Sequence, residues 1–281
     1  MKKRIANIIK NLLLMLATIF ILFSGLILIL QSRIIFHNVS DEESRIFLQG
    51  NPNFTEITFT AENGNTYHGM MYTSSNEVAP LIIYFGGNAE VSHRHMRMRE
   101  IHGQWQYFVG FHYLFIDYKG YGLNAGHPHY SNIYEQALAV FDFAASLPSV
   151  DENRIIAMGF SLGTGSAVYL AANRPVAGLI IAAPFANGHD LFNNVLPIFR
   201  GPLGLLVRQR FPSDIHAPNV LSPVLVIASH HDEVIPFSSS KQLSQIFPGD
   251  VDFMVLYNAR HNDIFQGDGV FDRVRSFLNQ I

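Results

Sequence analysis

Six short, largely apolar runs, separated by stretches with helical character, constrain this chain more than any other feature. They are Leu81–Phe85, Tyr113–Ile116, Arg154–Met158, Gly178–Ala182, Val224–Ala228 and Val251–Leu256. A run without polar alternation marks a strand covered on both faces, and such strands belong to parallel sheets. Helical stretches fall between or after them, at Ser92–Gln104, Asn132–Ser146, Leu162–Asn173, Phe237–Ile246 and Phe271–Asn279. Ahead of the runs, Phe54–Thr60 and Thr66–Tyr72 alternate around Asn63-Gly64-Asn65, the pattern of a hairpin. The expectation is an α/β domain with a mostly parallel sheet of about eight strands and helices on both faces.

Pro184–Ser222 breaks the alternation with a long insertion between two strands, punctuated by Pro197, Pro202, Pro212 and Pro218. A loop of that length inside a compact domain is usually functional. It reads as a lid over the carboxyl edge of the sheet, apolar at Leu203, Leu205, Leu206, Val207 and Phe211.

The N-terminus is of another kind. Lys2, Lys3, Arg4 and Lys10 are basic, and no residue from Asn11 to Ser32 is charged. As a helix that stretch reaches about 33 Å, against a hydrocarbon core of roughly 30 Å. It exceeds the usual apolar segment of a signal peptide, and Gln31-Ser32-Arg33 makes a poor cleavage site. The reading is an uncleaved, single-pass anchor. Its basic end is expected on the cytoplasmic side and the rest of the chain on the other. The mean hydropathy of +0.16 reports this segment, because the remainder averages about zero.

Charge excludes one class of partner. Without the four N-terminal positives, 15 basic residues face 22 acidic ones, near −7. Nucleic-acid binding needs a basic footprint, so none is expected. Cys is absent, which excludes disulfides, thiolate catalysis and Cys-based metal sites.

The chemistry centres on Gly159-Phe160-Ser161-Leu162-Gly163. This is G-x-S-x-G between an apolar strand and a helix rich in small residues. Such a turn exposes a nucleophile, here Ser161, and the following helix lends its N-terminal dipole and free N–H groups to developing negative charge. A serine nucleophile needs a base oriented by an acid, in the chain order Ser, acid, His. Asp232 follows the next-to-last strand and His261 the last, both just past strand carboxyl ends, where sites form in open α/β sheets. Glu233 and Asp263 compete for the acid's place. Oxyanion donors are expected from the N–H of Leu162 and, in the loop Gly86-Gly87-Asn88-Ala89-Glu90, that of Asn88. The other reading of those glycines is that they only close a tight turn.

With these motifs the sequence resembles the α/β-hydrolase fold superfamily. Within it, the likeness is to the membrane-anchored group typified by the fungal bud-emergence-suppressor hydrolases and their animal and bacterial relatives. The resemblance spans roughly Ile57 to Leu278 and includes Asp117-Tyr118-Lys119-Gly120-Tyr121-Gly122, Asp232-Glu233-Val234-Ile235-Pro236 and His261-Asn262-Asp263. It implies a triad at Ser161, Asp232 and His261, oxyanion donors at Asn88 and Leu162, and a structural role for Asp117. Two departures stand out. The family usually carries H-G-N where Gly86-Gly87-Asn88 stands, and His-Gly is common where this chain has His230-His231. The implied organisation is an anchor over residues 1–32, a connector over 33–52 and an α/β-hydrolase domain over 53–281, with the lid at about 184–222.

Other candidates read as background. His93, His95 and His102, with Arg94, Arg97 and Arg99, are expected on a solvated basic helix face; residues two apart point to different faces and suit a metal poorly. His127, His129, His230 and His231 read as loop surface near the site. Arg208 and Arg210 read as exposed lid charges or as contacts for an anionic head group. No metal or organic cofactor is implied. The expected function is a membrane-anchored serine hydrolase of carboxylic esters or thioesters, including lipid-like acyl substrates. The alternatives are a peptidase or amidase of the same fold, and a non-catalytic binding module at the membrane.

Overall fold

The computed structural model describes residues 2–195 and 201–281. Eight strands form one sheet: β1 (Phe54–Thr60), β2 (Thr66–Tyr72), β3 (Ala79–Phe85), β4 (His112–Ile116), β5 (Val150–Phe160), β6 (Gly178–Ala182), β7 (Val224–Ser229) and β8 (Val251–Leu256). Their order is β1-β2-β4-β3-β5-β6-β7-β8. β2 pairs antiparallel with β1 and with β4, and every pairing from β4 through β8 is parallel. Five of the apolar runs are inner strands, and β3, β4 and β6 are buried at every position. The sixth, Val251–Leu256, is the edge strand β8 and is half-buried up to Leu256 instead of covered on both faces.

The helices are α1 (Lys2–Ile35), α2 (Glu42–Leu48), α3 (Ser92–Ile101), α4 (Tyr130–Ala145), α5 (Leu162–Asn173), α6 (Gly188–Val195), α7 (Ser213–His216), α8 (Phe237–Ser244) and α9 (Val270–Leu278). Small residues decide how close α5 lies to the sheet. A Cβ on Gly163 would stand 2.0 Å from the Phe85 carbonyl oxygen, and one on Gly159 would stand 2.6 Å from that of Gly163.

α1 runs three residues past the expected span. It is the one helix among the described residues long and apolar enough to cross a membrane. Most of it is exposed, but Ile27, Gln31 and Ile35 are buried against the domain. The following segment carries α2, whose first turn is capped by Asp41 accepting the Ser44 N–H at 2.9 Å.

α3 corrects one expectation. Arg94 and His102 are exposed as expected, but His93, His95 and Arg99 are buried. The buried residues meet the body of the domain, His93 at Glu56 (3.5 Å) and His95 stacked on Tyr84. The connector acids pair instead with the outer arginines, exposed Arg94 with Asp41 at 2.7 Å and half-buried Arg97 with Glu43 at 2.8 Å. On the inner side, Arg99 lies over the rings of Tyr84, Phe108 and Tyr113. The helix stops at Ile101, and Gly103 turns the chain at φ +61°.

Residues 196–200 of the expected lid lie outside the described residues. The rest splits in two. Leu191 and Phe192 of α6 face inward, and Val207 and Phe211 are buried, whereas Leu205 is 88% exposed. Arg208 and Arg210 are exposed.

Candidate active site

The site forms where β5 turns into α5. Ser161 takes φ 50° and ψ −119°, a left-handed conformation that is costly for a side chain with a Cβ. The turn puts its hydroxyl at the carboxyl edge of the sheet, beside the first turn of α5. The Ser161 Oγ lies 2.9 Å from His261 Nε2. His261 opens the short helical turn His261–Gln266 that follows β8. Its Nδ1 lies 2.8 and 3.0 Å from the two carboxylate oxygens of Asp232.

Asp232 stands in the loop after β7, where its Oδ1 also accepts the backbone N–H groups of Val234 and Ile235 at 2.8 and 2.7 Å. The carboxylate is thus aimed by its own loop. The side chains of Asp232 and His261 are 3% and 6% exposed, so the pair is shielded from solvent. Ser229 stitches the two loops together by donating to the Ala259 carbonyl and accepting the His231 N–H. His230 stacks between Phe237 and Tyr257 and takes no part in the line of contacts.

The competing acids stand elsewhere. Glu233 accepts the backbone N–H of His261 at 3.2 Å and pairs with Arg260 at 3.3 Å. Burial pushes the Glu233 carboxyl up, but hydrogen bonds from its own and the His261 N–H, with Arg260, hold it below its ordinary value. Asp263 is exposed.

The loop after β3 faces Ser161. Asn88 and Leu162 line the same cavity as Ser161 and His261. No backbone hydrogen bond engages either N–H among the described residues. The loop's glycines answer to close approach: a Cβ on Gly86 would meet Phe115 Cζ at 2.4 Å, and one on Gly87 would meet the Phe160 ring at 3.0 Å. Phe115 therefore occupies the space into which a residue-86 side chain would grow. Other groups brace the loop. Tyr118 donates to the Gly86 carbonyl at 2.9 Å, and Glu90 accepts the Gly87 N–H at 2.7 Å.

Glu90 belongs to a polar cluster behind the site. It meets His95 Nδ1 at 2.5 Å and accepts from Tyr84. On the far side of the ring, Arg99 Nε donates to His95 Nε2 at 2.6 Å. Burial, then the Arg99 guanidinium, push the His95 imidazole down to about 4, against the pull of Glu90. Burial also pushes the Glu90 carboxyl up, but contact with His95 and the hydrogen bonds from Gly87 and Tyr84 more than offset it. Asp117 is buried nearby, accepting the Ser92 N–H at 2.6 Å and the Ser92 hydroxyl at 2.9 Å. Burial pushes its carboxyl up to about 7 despite those bonds.

A cavity of about 180 Å³ opens beside Ser161, walled by Ile35, Phe160, Leu162, Leu191, Phe192 and Val234. The lining suits an apolar group next to the reacting hydroxyl. Sequence reasoning missed Ile34, Ile35, Leu191 and Phe192 as neighbours of the site. No local signal marks them, because Ile34 and Ile35 come from more than a hundred residues before Ser161 and Leu191 and Phe192 from about thirty after it. Among the described residues no group of three or more His, Asp or Glu side chains is placed to hold a metal ion.

Known proteins of similar sequence and shape bear on this site. The acetyl xylan esterase family (AXE1) matches residues 53–190, and the dienelactone hydrolase family matches residues 124–262. An uncharacterized protein of Mycobacterium tuberculosis is 29% identical over 231 residues, covering 80% of this chain and 79% of its own. The alpha/beta hydrolase domain-containing protein aho-3 of Caenorhabditis elegans is 32% identical over 177 residues, 62% of this chain and 52% of its own. The structure of a Pyrococcus furiosus esterase superposes with a TM-score of 0.65 at 15% identity, covering 87% of this chain and 95% of that one.

Proposed function

From the premise that the chain belongs to the α/β-hydrolase superfamily, we propose that it is a membrane-anchored serine hydrolase of carboxylic esters or thioesters. Ser161 is the nucleophile, His261 the base and then the acid, and Asp232 the group that orients His261. The Ser161 hydroxyl attacks the acyl carbonyl as its proton passes to His261 Nε2. Asp232 holds the Nδ1–H and stabilises the imidazolium. The carbonyl oxygen takes up negative charge against the N–H groups of Asn88 and Leu162, which are fixed before the charge appears. The intermediate collapses, His261 returns the proton to the departing alcohol or thiol, and Ser161 is left acylated. Water, deprotonated by His261, then attacks the acyl carbon and releases the acid.

One observation carries this reading. The chain from Ser161 Oγ through His261 to Asp232 runs at 2.9 and 2.8 Å, on a turn held in a strained conformation. Strain of that kind costs about 1–3 kcal/mol and is retained where the surroundings enforce it, typically at working sites. The apolar cavity favours an acyl group as the part of the substrate bound beside Ser161. For the anchor, the support is the length and exposure of α1. Its basic start, Lys2, Lys3, Arg4 and Lys10, favours a cytoplasmic N-terminus, with the hydrolase domain on the opposite side.

A fluorophosphonate probe is expected to label the wild-type protein at Ser161 and to leave Ser161→Ala unlabelled. Turnover of p-nitrophenyl acyl esters should exceed that of aminoacyl anilides. Faster anilide cleavage would make the protein an amidase, and unlabelled, folded wild type would make it a binding module.

A further inference from the structure

The last turn of α1 enters the site instead of stopping at the domain surface. Ile34 and Ile35 line the cavity beside Ser161. The Ile35 carbonyl accepts from Asn88 Nδ2 at 2.8 Å, and the His37 N–H donates to Asn88 Oδ1 at 3.1 Å. On its other flank α1 is fastened to the lid. Gln31 Oε1 accepts the Arg208 N–H at 2.8 Å, and Gln209 Nε2 donates to Ser32 Oγ at 3.1 Å. Phe36 meets Phe211 edge to face, with ring centres 6.4 Å apart. A passive tether needs none of these contacts.

Depth in the bilayer follows from the same turns. The packed part of α1 begins within the uncharged stretch: Ile27 and Gln31 are buried, while Leu26 and Ile29 are 52% and 78% exposed. Leu205, on the short lid helix against α1, is also exposed. A bilayer that covers Ile29 therefore reaches the lid. Arg33 marks the head-group level, since a charged side chain there reaches for the interface. Ile34, 43% exposed, follows it directly at the edge of the cavity.

We propose that the Ile34–His37 turn is the acyl-selecting wall of the active site, and that the substrate is an ester or thioester whose acyl chain is drawn from the bilayer holding α1. The proposal rests on Ser161 being the nucleophile. Ile34 and Ile35 touch the chain, whereas His37 is a positioning residue that acts through Asn88. The chain leaves the bilayer along the exposed flank of α1, and its carbonyl reaches Ser161 beside Asn88.

The full chain in phosphatidylcholine vesicles supplies the test. The readout is the ratio of kcat/KM for 4-methylumbelliferyl palmitate, placed in the membrane, to that for the soluble acetate. Ile34→Trp fills the wall and is expected to lower the ratio at least tenfold. Ile34→Asn removes apolar surface without adding bulk and is expected to lower it about tenfold, the low end of what losing apolar contact in such pockets costs. Palmitate ester in the enzyme's own vesicles should turn over at least tenfold faster than the same ester in enzyme-free vesicles. Ratios within twofold of wild type in both variants overturn the proposal, as do equal rates in the two vesicle arrangements. Fluorophosphonate labelling separates the layers: an unlabelled wild-type Ser161 sinks the nucleophile reading, and a labelled one with unchanged ratios sinks this proposal alone.

Discussion

The side-chain amide of Asn88 donates to the carbonyl oxygen of Ile35 at 2.8 Å, tying the loop after β3 to the last turn of the N-terminal helix. The same side chain accepts from Tyr121 Oη at 2.6 Å and from the His37 N–H at 3.1 Å. Its polar capacity is thus spent on the fold, and what remains for the proposed oxyanion role is the backbone N–H. The loop is held from the rear by Glu90 and from the front by α1. A donor that must not reorganise during the reaction needs such bracing.

Removing the brace should therefore show in the chemical step. Asn88→Ala keeps the backbone N–H but frees the loop. We expect kcat on a soluble ester to fall about 10–100-fold with KM nearly constant, since an oxyanion donor acts on the transition state. Asn88→Asp should do no better, because it sets a carboxylate against the Ile35 carbonyl. Steady-state kinetics on both variants decide the matter, and kcat within twofold of wild type would show that the side chain is idle.

The two neighbouring acids should part sharply. Asp232→Asn places an amide donor before His261 Nδ1 and fixes the wrong tautomer, which should cost of order 10⁴ in kcat. Glu233→Gln keeps an acceptor for the His261 N–H and loses only the half-exposed pairing with Arg260. Exposed pairs contribute about 1 kcal/mol or less, so a loss below about fivefold is expected. A larger loss from Glu233→Gln than from Asp232→Asn would reverse the assignment of the acid.

Some of this was legible in the sequence and some was not, for a physical reason. The buried strands were readable because a strand covered on both faces admits no polar alternation. Gly159 and Gly163 were readable because the turn around Ser161 leaves no room for a Cβ. Those rules act over a few residues. The packed side of α3 was misread, because what His93 and Arg99 pack against, Glu56 and the rings of Tyr84, Phe108 and Tyr113, comes from other elements of the fold. Ile34 and Ile35 were read as the start of a connector, since no local pattern shows that this turn lies beside Ser161. The departure at Gly86 was visible, but its compensation by Phe115 and Tyr118 was not.

That compensation can be tested by reversing it. Gly86→His restores the usual family residue, yet its Cβ would stand 2.4 Å from Phe115 Cζ, and Phe115 is fully buried. Overpacking of this kind costs about 1–3 kcal/mol or more. Phe115→Ala alone should cost about 3–5 kcal/mol for the cavity it leaves. Combined, the substitutions should cost at least about 1 kcal/mol less than their sum, because each relieves the other. Urea unfolding in detergent gives all three values, and strict additivity would mean that Phe115 is not what excludes a side chain at position 86.

Acid should act on two buried groups in opposite senses. His95 is pushed down to about 4, so between roughly pH 6.5 and 4 the unfolded chain binds the extra proton. Stability from His95 is then lost as pH falls through that window, by about 3 kcal/mol. Asp117 is pushed up to about 7, so between about pH 4 and 7 it is the folded chain that holds the extra proton. Stability from Asp117 is regained as pH falls, by about 4 kcal/mol. The two contributions offset each other in the wild type. Asp117→Asn removes one of them while its side-chain oxygen still accepts the Ser92 N–H. Relative to wild type, the variant should lose about 4 kcal/mol of unfolding free energy between pH 7 and pH 4. Other titrating groups contribute alike to both proteins, so the difference isolates Asp117. Parallel stability curves across this range would show that the Asp117 carboxyl titrates at its ordinary pH, with no burden from its burial.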